Sequence, residues 1–160
     1  MTKTMQILWV TLSVIFAVGC SKDDAPAIDS SLYSGKNISA YASVTADKTT
    51  KMGSLEVFEA GSWKLYGGRD GGSVDFTAPL LDGSGPGILP IGDPDYRIYC
   101  LEWSDGSRAS FAPRQLPLEG QSNFRDLGGY RTTDGRYVRW GKVFRSGKCN
   151  ALTDEDLDYL

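Results

Sequence analysis

Tyr96-Arg97-Ile98-Tyr99-Cys100-Leu101-Glu102-Trp103, with Asp105-Gly106 and then Arg108-Ala109-Ser110-Phe111 behind it, decides the fold class of this chain. The first run is the strongest strand candidate in the sequence, because aromatic and branched side chains suit a pleated, packed surface. Asp-Gly between two such runs is a hairpin signal. Working backwards, Ile38, Ala40, Ala42 and Val44 alternate, as do Leu55 and Val57. Trp63 and Leu65 follow the break at Ala60-Gly61, and Val74 and Phe76 alternate after Gly67-Gly68 and Asp70-Gly71-Gly72. Such period-two runs predict strands with one buried face. Residues 79–94 hold Pro79, Pro86, Pro90 and Pro94 among glycines and read as a long loop.

Roughly five to seven short strands separated by turn signals predict an all-β sandwich over residues 36–116. The pattern suits the immunoglobulin or fibronectin-like class, and about 80 residues can bury a modest single core. Pro113 and Pro117 mark the boundary before a second unit at 120–160. There Asp134-Gly135 lies between Tyr130-Arg131 and Tyr137-Val138-Arg139-Trp140, a second hairpin signal. Val143-Phe144-Arg145 reads as a short strand. Thr153 is placed to cap a helix opening on Asp154-Glu155-Asp156, acids that the helix dipole favours there. Leu157 and Leu160 share one face of that helix.

Composition narrows the chemistry. The 160 residues contain 17 Lys and Arg, 20 Asp and Glu and no histidine, for a formal charge of −3. A mildly acidic chain lacks the basic footprint of nucleic-acid binding, so no nucleic-acid partner is expected. Without histidine there is no Ser-His or Cys-His nucleophile pair within these residues. The commonest metal ligand is missing too, and no zinc spacing is present. Neither a metal nor a cofactor is expected. Cys100 and Cys149 have two readings: a disulfide, if the chain is extracytoplasmic, or two separate buried thiols, favoured by their apolar-looking surroundings.

Residues 1–19 read as a secretory segment, with Lys3 ahead of a mostly apolar run over 7–18 that is short for a membrane span. The run ends at Ala17-Val18-Gly19-Cys20, which resembles the lipobox of bacterial lipoproteins, with Ala17 where Leu is more usual. The resemblance implies cleavage before Cys20, acylation of its sulfur, and membrane attachment through that lipid. Losing residues 1–19 removes Lys3 and takes the charge from −3 to −4. Residues 20–35 read as a flexible tether. Within them, Ser21-Lys22-Asp23-Asp24 resembles a surface-export signal of some Gram-negative lipoproteins, while a solvated charged linker is the plainer reading. The expectation is an outer-membrane lipoprotein on the cell surface or the periplasmic side.

Asn123-Phe124-Arg125-Asp126-Leu127-Gly128-Gly129-Tyr130 is followed by Asp134-Gly135-Arg136, Gly141, Phe144-Arg145-Ser146-Gly147 and Leu152-Thr153. In order and spacing these resemble the N-terminal signature of bacterial tyrosine phosphatases with dual protein and lipid activity. Cys149 stands where that family usually carries an apolar residue. The resemblance implies the truncated start of an α/β tyrosine-phosphatase fold at 120–160, and a phosphotyrosine protein or other phosphomonoester as substrate of the intact form. The family's nucleophile is a cysteine in a His-Cys-x5-Arg loop, whose backbone amides and arginine hold the phosphate oxygens. No cysteine of this sequence has an arginine six residues on; from Cys149 that position is Glu155. Cys149 is therefore rejected as a nucleophile, no catalytic residue is assigned, and the chain is expected to be inactive alone.

Arg125, Arg139 and Arg145 are candidates for bidentate contacts to phosphate or carboxylate. Arg125 and Asp126 form the candidate substrate-binding pair, with Asp126 orienting an arginine. The alternative is that the two make structural ion pairs that pin their loop. A different function class also stands. The sandwich would be a surface module binding a glycan or protein, with Trp63, Tyr66, Tyr96, Tyr99 or Trp103 as a stacking platform if exposed.

Overall fold

The structure, a computed structural model, describes residues 32–92 and 96–160. Cys20, the segment 1–19 and most of the expected tether lie outside the described residues.

Among the described residues, seven strands make two antiparallel sheets. They are β1 (Ala42–Ala46), β2 (Gly53–Val57), β3 (Ser62–Gly68), β4 (Leu81–Ser84), β5 (Gly87–Ile91), β6 (Ile98–Trp103) and β7 (Arg108–Phe111). One sheet has the order β1-β2-β5 and the other β4-β3-β6-β7. The inward residues of both form one core that includes Val44, Leu55, Val57 and Ile91 from the first sheet and Trp63, Leu65, Leu101, Trp103 and Phe111 from the second. Register explains the match: Trp63 lies opposite Trp103 and Leu65 opposite Leu101, so large side chains stack in rows along the inner face. The β6–β7 hairpin forms as expected. Gly106 takes φ +80° at its turn, a conformation glycine adopts without a Cβ clash.

Two expectations for this part of the chain are corrected. Residues 79–94 are not one long loop, because β4 and β5 run through them. Pro90 sits inside β5, opposite Ser54. A proline is tolerated there because β5 is an edge strand and its missing N–H costs no ladder hydrogen bond. Val74 and Phe76 do not form a strand. They follow a short 3-10 turn (Gly71–Ser73) capped by Asp70 and pack on the outer face of the four-stranded sheet.

That outer face is a second apolar surface, where Tyr66, Ile98, Cys100 and Ala112 cluster with Leu32. Tyr33, Val74, Phe76 and Trp140 close over it. The last residues of the expected tether are thus part of the fold: Leu32 is buried, and Ser34 bridges to Arg108 through both backbone bonds. Cys100 is buried here while Cys149 is exposed, and no disulfide joins the two. The disulfide reading and the buried reading of Cys149 both give way.

The C-terminal part adds β8 (Arg125–Asp126), β9 (Phe144–Arg145) and α1 (Asp154–Tyr159). The connecting stretch runs alongside β8, with Leu116 N–H donating to Phe124 O (3.0 Å) and Asp126 N–H to Arg114 O (2.8 Å). Leu116 and Leu118 are buried along it. The hairpin expected around Asp134-Gly135 forms, with Val138 N–H donating to Tyr130 O and Gly135 N–H to Thr132 O. Thr153 caps α1 in a reciprocal capping box with Asp156. Leu157 and Leu160 are exposed.

Asp156 fastens the helix. Its carboxylate is buried and accepts from the N–H groups of Glu119 (2.8 Å), Gly120 (2.8 Å) and Thr153 (3.2 Å). Burial alone would raise this carboxyl, but the amides of Gly120, Glu119 and Thr153, with Lys51 nearby, hold it below its ordinary value. Lys51, at φ 60° in the β1–β2 turn, also donates to Pro117 O, and Arg97 donates to Tyr159 O with its guanidinium 4.1 Å from the Tyr159 ring centre.

An unfolded aspartate titrates near ~3.9. A depressed folded value means that Asp156 stabilises fully above that range and that its contribution is lost as pH falls through the folded value. Thermal unfolding of Asp156→Asn against wild type across pH 2–7 should therefore show a gap that is widest near neutrality and closes below about pH 4. A gap independent of pH would contradict this role.

Candidate functional site

Alternation along β8 sends its two residues to opposite faces, so Arg125 is exposed and Asp126 buried. The candidate pair is therefore split. Asp126 Oδ1 accepts from Gly128 N–H and Oδ2 from Gly141 N–H, each at 2.7 Å. Burial raises this carboxyl from its ordinary value, against the opposing pull of the Gly141 and Gly128 amides and of Arg114. Asp126 thus ties two turns of the signature segment together, and the structure does not bring its carboxylate to Arg125.

Arg114 completes the tie. Its guanidinium donates to the carbonyls of Asp126 (2.9 Å) and Gly128 (3.1 Å). It also lies 4.4 Å from the Tyr130 ring centre and 4.9 Å from that of Trp140, cation–π distances for both rings. Trp140 donates its indole N–H to Ser110 O at 3.2 Å, which anchors the segment to β7. Gly128 and Gly129 are small for a further reason than turn freedom. A Cβ on Gly128 would stand 2.5 Å from the Trp140 backbone, and Gly129 holds φ +75° against the indole. Arg114 precedes the signature and has no periodic or motif signal, so sequence reasoning had no means of finding it.

The other signature residues fall into two groups. Asp134 and Arg136 pair with each other at 2.5 Å across the hairpin turn. Arg136, with Thr132, holds the Asp134 carboxyl down at about 2, so these two residues are spent on the turn. Arg125 lies directly opposite Arg145 in the β8–β9 ladder, and Gln115 bridges to Arg125 from the other side. Directly opposite residues hold their Cβ atoms about 4.5–5.5 Å apart on one face, and like charges so placed repel. Both arginines are exposed. Two guanidinium forks side by side suit an oxyanion, which would relieve that repulsion. Arg139 lies apart from them, on a cavity lined also by Asp126 and Phe144, residues of the opposite face of the ladder.

Cys149 is exposed, 3.3 Å from Ser146 Oγ and donating toward Gly147 O. The aromatic platform considered for a binding module is largely absent: Trp63, Tyr66, Tyr99 and Trp103 are buried, and Tyr96 is partly buried against the core.

Removing the Asp126 side chain leaves the Gly128 and Gly141 N–H groups without their acceptors. Asp126→Ala should cost about 1–3 kcal/mol in urea denaturation and shift the emission of Trp140, whereas Asp134→Ala, at an exposed turn, should shift the midpoint far less. Equal effects would show that Asp126 is not the tie.

Residues 116–160 match the model of the tyrosine phosphatase family. The match begins beside β8 and runs through α1, leaving the seven-stranded sandwich outside it. No curated protein and no solved structure matches the chain. The sequence of the C-terminal segment thus supports a relation to the tyrosine phosphatase family.

Proposed function

We propose that this chain is a tyrosine phosphatase-family lipoprotein in which residues 120–160 are the leading segment of the phosphatase domain, carried behind an immunoglobulin- or fibronectin-like sandwich at 36–116. The observation that carries the reading is the family match over 116–160. The exposed cross-strand pair Arg125–Arg145 supports it, because paired guanidinium groups are suited to a phosphomonoester's oxygens. Seven strands in two antiparallel sheets, with the chain passing repeatedly between them, support the class of the sandwich. Phosphate transfer to a cysteine needs a thiolate beside an arginine and a ring of backbone amides. These 160 residues hold no Cys-x5-Arg sequence, so by themselves they are inactive. On this reading Arg125 contacts substrate and Asp126 acts through the loop it holds.

Sequencing the locus through and past the codon for Leu160 tests the reading, together with an aryl-phosphate assay of the 160-residue chain. A continuing frame with His-Cys-x5-Arg and background turnover by the 160 residues are the expected results. A stop with no such motif nearby, or turnover abolished by Cys149→Ser, would overturn it.

The lipoprotein part rests on Ala17-Val18-Gly19-Cys20 and on the polar residues that follow. One saturated chain binds membranes only marginally, whereas several on one residue anchor it stably. Cys20→Ser should abolish labelling by a radioactive fatty acid and release the protein from the membrane fraction. Retained label in that variant would place the modification elsewhere.

A further inference from the structure

The C-terminal segment does not lie flat on the sandwich. Between them is a cavity of about 440 Å³, within the range of small-molecule sites. One part of its wall is apolar, from Ile98, Leu116 and Phe144. Another carries Arg97, Arg139 and Lys142, brought from β6's leading edge and from the stretch between the signature hairpin and β9.

The carboxylates on the same wall are committed in part or in full to backbone amides. Asp70 Oδ1 caps the 3-10 turn through Gly72 and Ser73 N–H, and both oxygens of Asp126 hold Gly128 and Gly141. Arg97 spends one nitrogen on Tyr159 O and keeps the rest of its donor fork. A cationic wall of this kind stands out in a chain whose formal charge is −3.

We infer that this cavity binds a small soluble organic phosphate, its phosphate group held by Arg97, Arg139 and Lys142 and its carbon body against Ile98, Leu116 and Phe144. Three cations favour a phosphomonoester over a simple carboxylate, since the former carries nearly two negative charges at neutral pH. Arginine forks match its oxygens in pairs. The site is separate from Arg125 and Arg145, which occupy the opposite face of the β8–β9 ladder. The inference therefore does not depend on the phosphatase reading.

Isothermal titration of the 160-residue chain with phenyl phosphate tests it. The expected result is saturable one-to-one binding, weaker for inorganic phosphate, which lacks the carbon body. Arg139→Glu and Lys142→Glu should each weaken it about ten-fold or more, while Lys142→Arg retains it. Arg139 and Lys142 are exposed, and unchanged denaturation midpoints would show that the charge reversals leave the fold intact. Lys148→Glu, exposed and outside the cavity lining, should leave binding unchanged. Absence of saturable binding, equal affinity for inorganic phosphate, or an effect of the Lys148 variant as large as those of the Arg139 and Lys142 variants would each overturn the assignment.

Discussion

The four-stranded sheet β4-β3-β6-β7 is apolar on both faces, and that constraint organises the rest of the molecule. Its inner face completes the sandwich core with Trp63, Leu65, Leu101 and Phe111. Its outer face carries Tyr66, Ile98 and Cys100, each at 6 % exposure or less. A two-layer sandwich would leave those side chains in water, at a cost of roughly 25 cal/mol for each Å² of apolar surface. Leu32 and Tyr33 cover them from one direction and Trp140 from the other. The stacked rings of Tyr33 and Tyr137, 3.9 Å between centres, join the two covers. The segment that carries the phosphatase-like signature is thus held to the sandwich by the sandwich's own second hydrophobic face.

The signature residues divide by what they touch. Asp126, Gly128, Gly129, Asp134 and Arg136 are occupied with backbone amides, ring packing and a local ion pair. They give the segment a fixed path. Arg125 and Arg145 are the residues whose charge remains on the surface, side by side. A motif recognised as a unit therefore contains mostly scaffold, and buried hydrogen-bonded carboxylates such as Asp126 belong to that scaffold because leaving their partners unmet is costly.

Where the sequence was legible, local physics was strong. The β6–β7 hairpin, the Asp134-Gly135 turn and the Thr153 cap each rest on a few adjacent residues whose backbone preferences agree with the fold. Where it was not, the deciding partner was distant. Pro90 argued against a strand, yet β5 accepts it because no fourth strand lies beyond that edge of its sheet. Val74 and Phe76 alternate like a strand but are placed by the outer-face cluster. Cys149 sits in a stretch that looks apolar, but nothing covers it. Arg114 had no signal at all, since its role depends on Trp140, 26 positions along the chain.

The sequence alone determined the β class of residues 36–116, the likeness of the C-terminal segment to a phosphatase leader, and the absence of a Cys-x5-Arg loop within these residues. Each is a matter of residue type at short spacing. Only the tertiary structure decided that β6 is buried on both faces, that Arg125 and Asp126 point apart, and that Arg97, Arg139 and Lys142 line one cavity. Strand register and the packing of a third layer set those relations, and both depend on contacts between residues far apart in the chain.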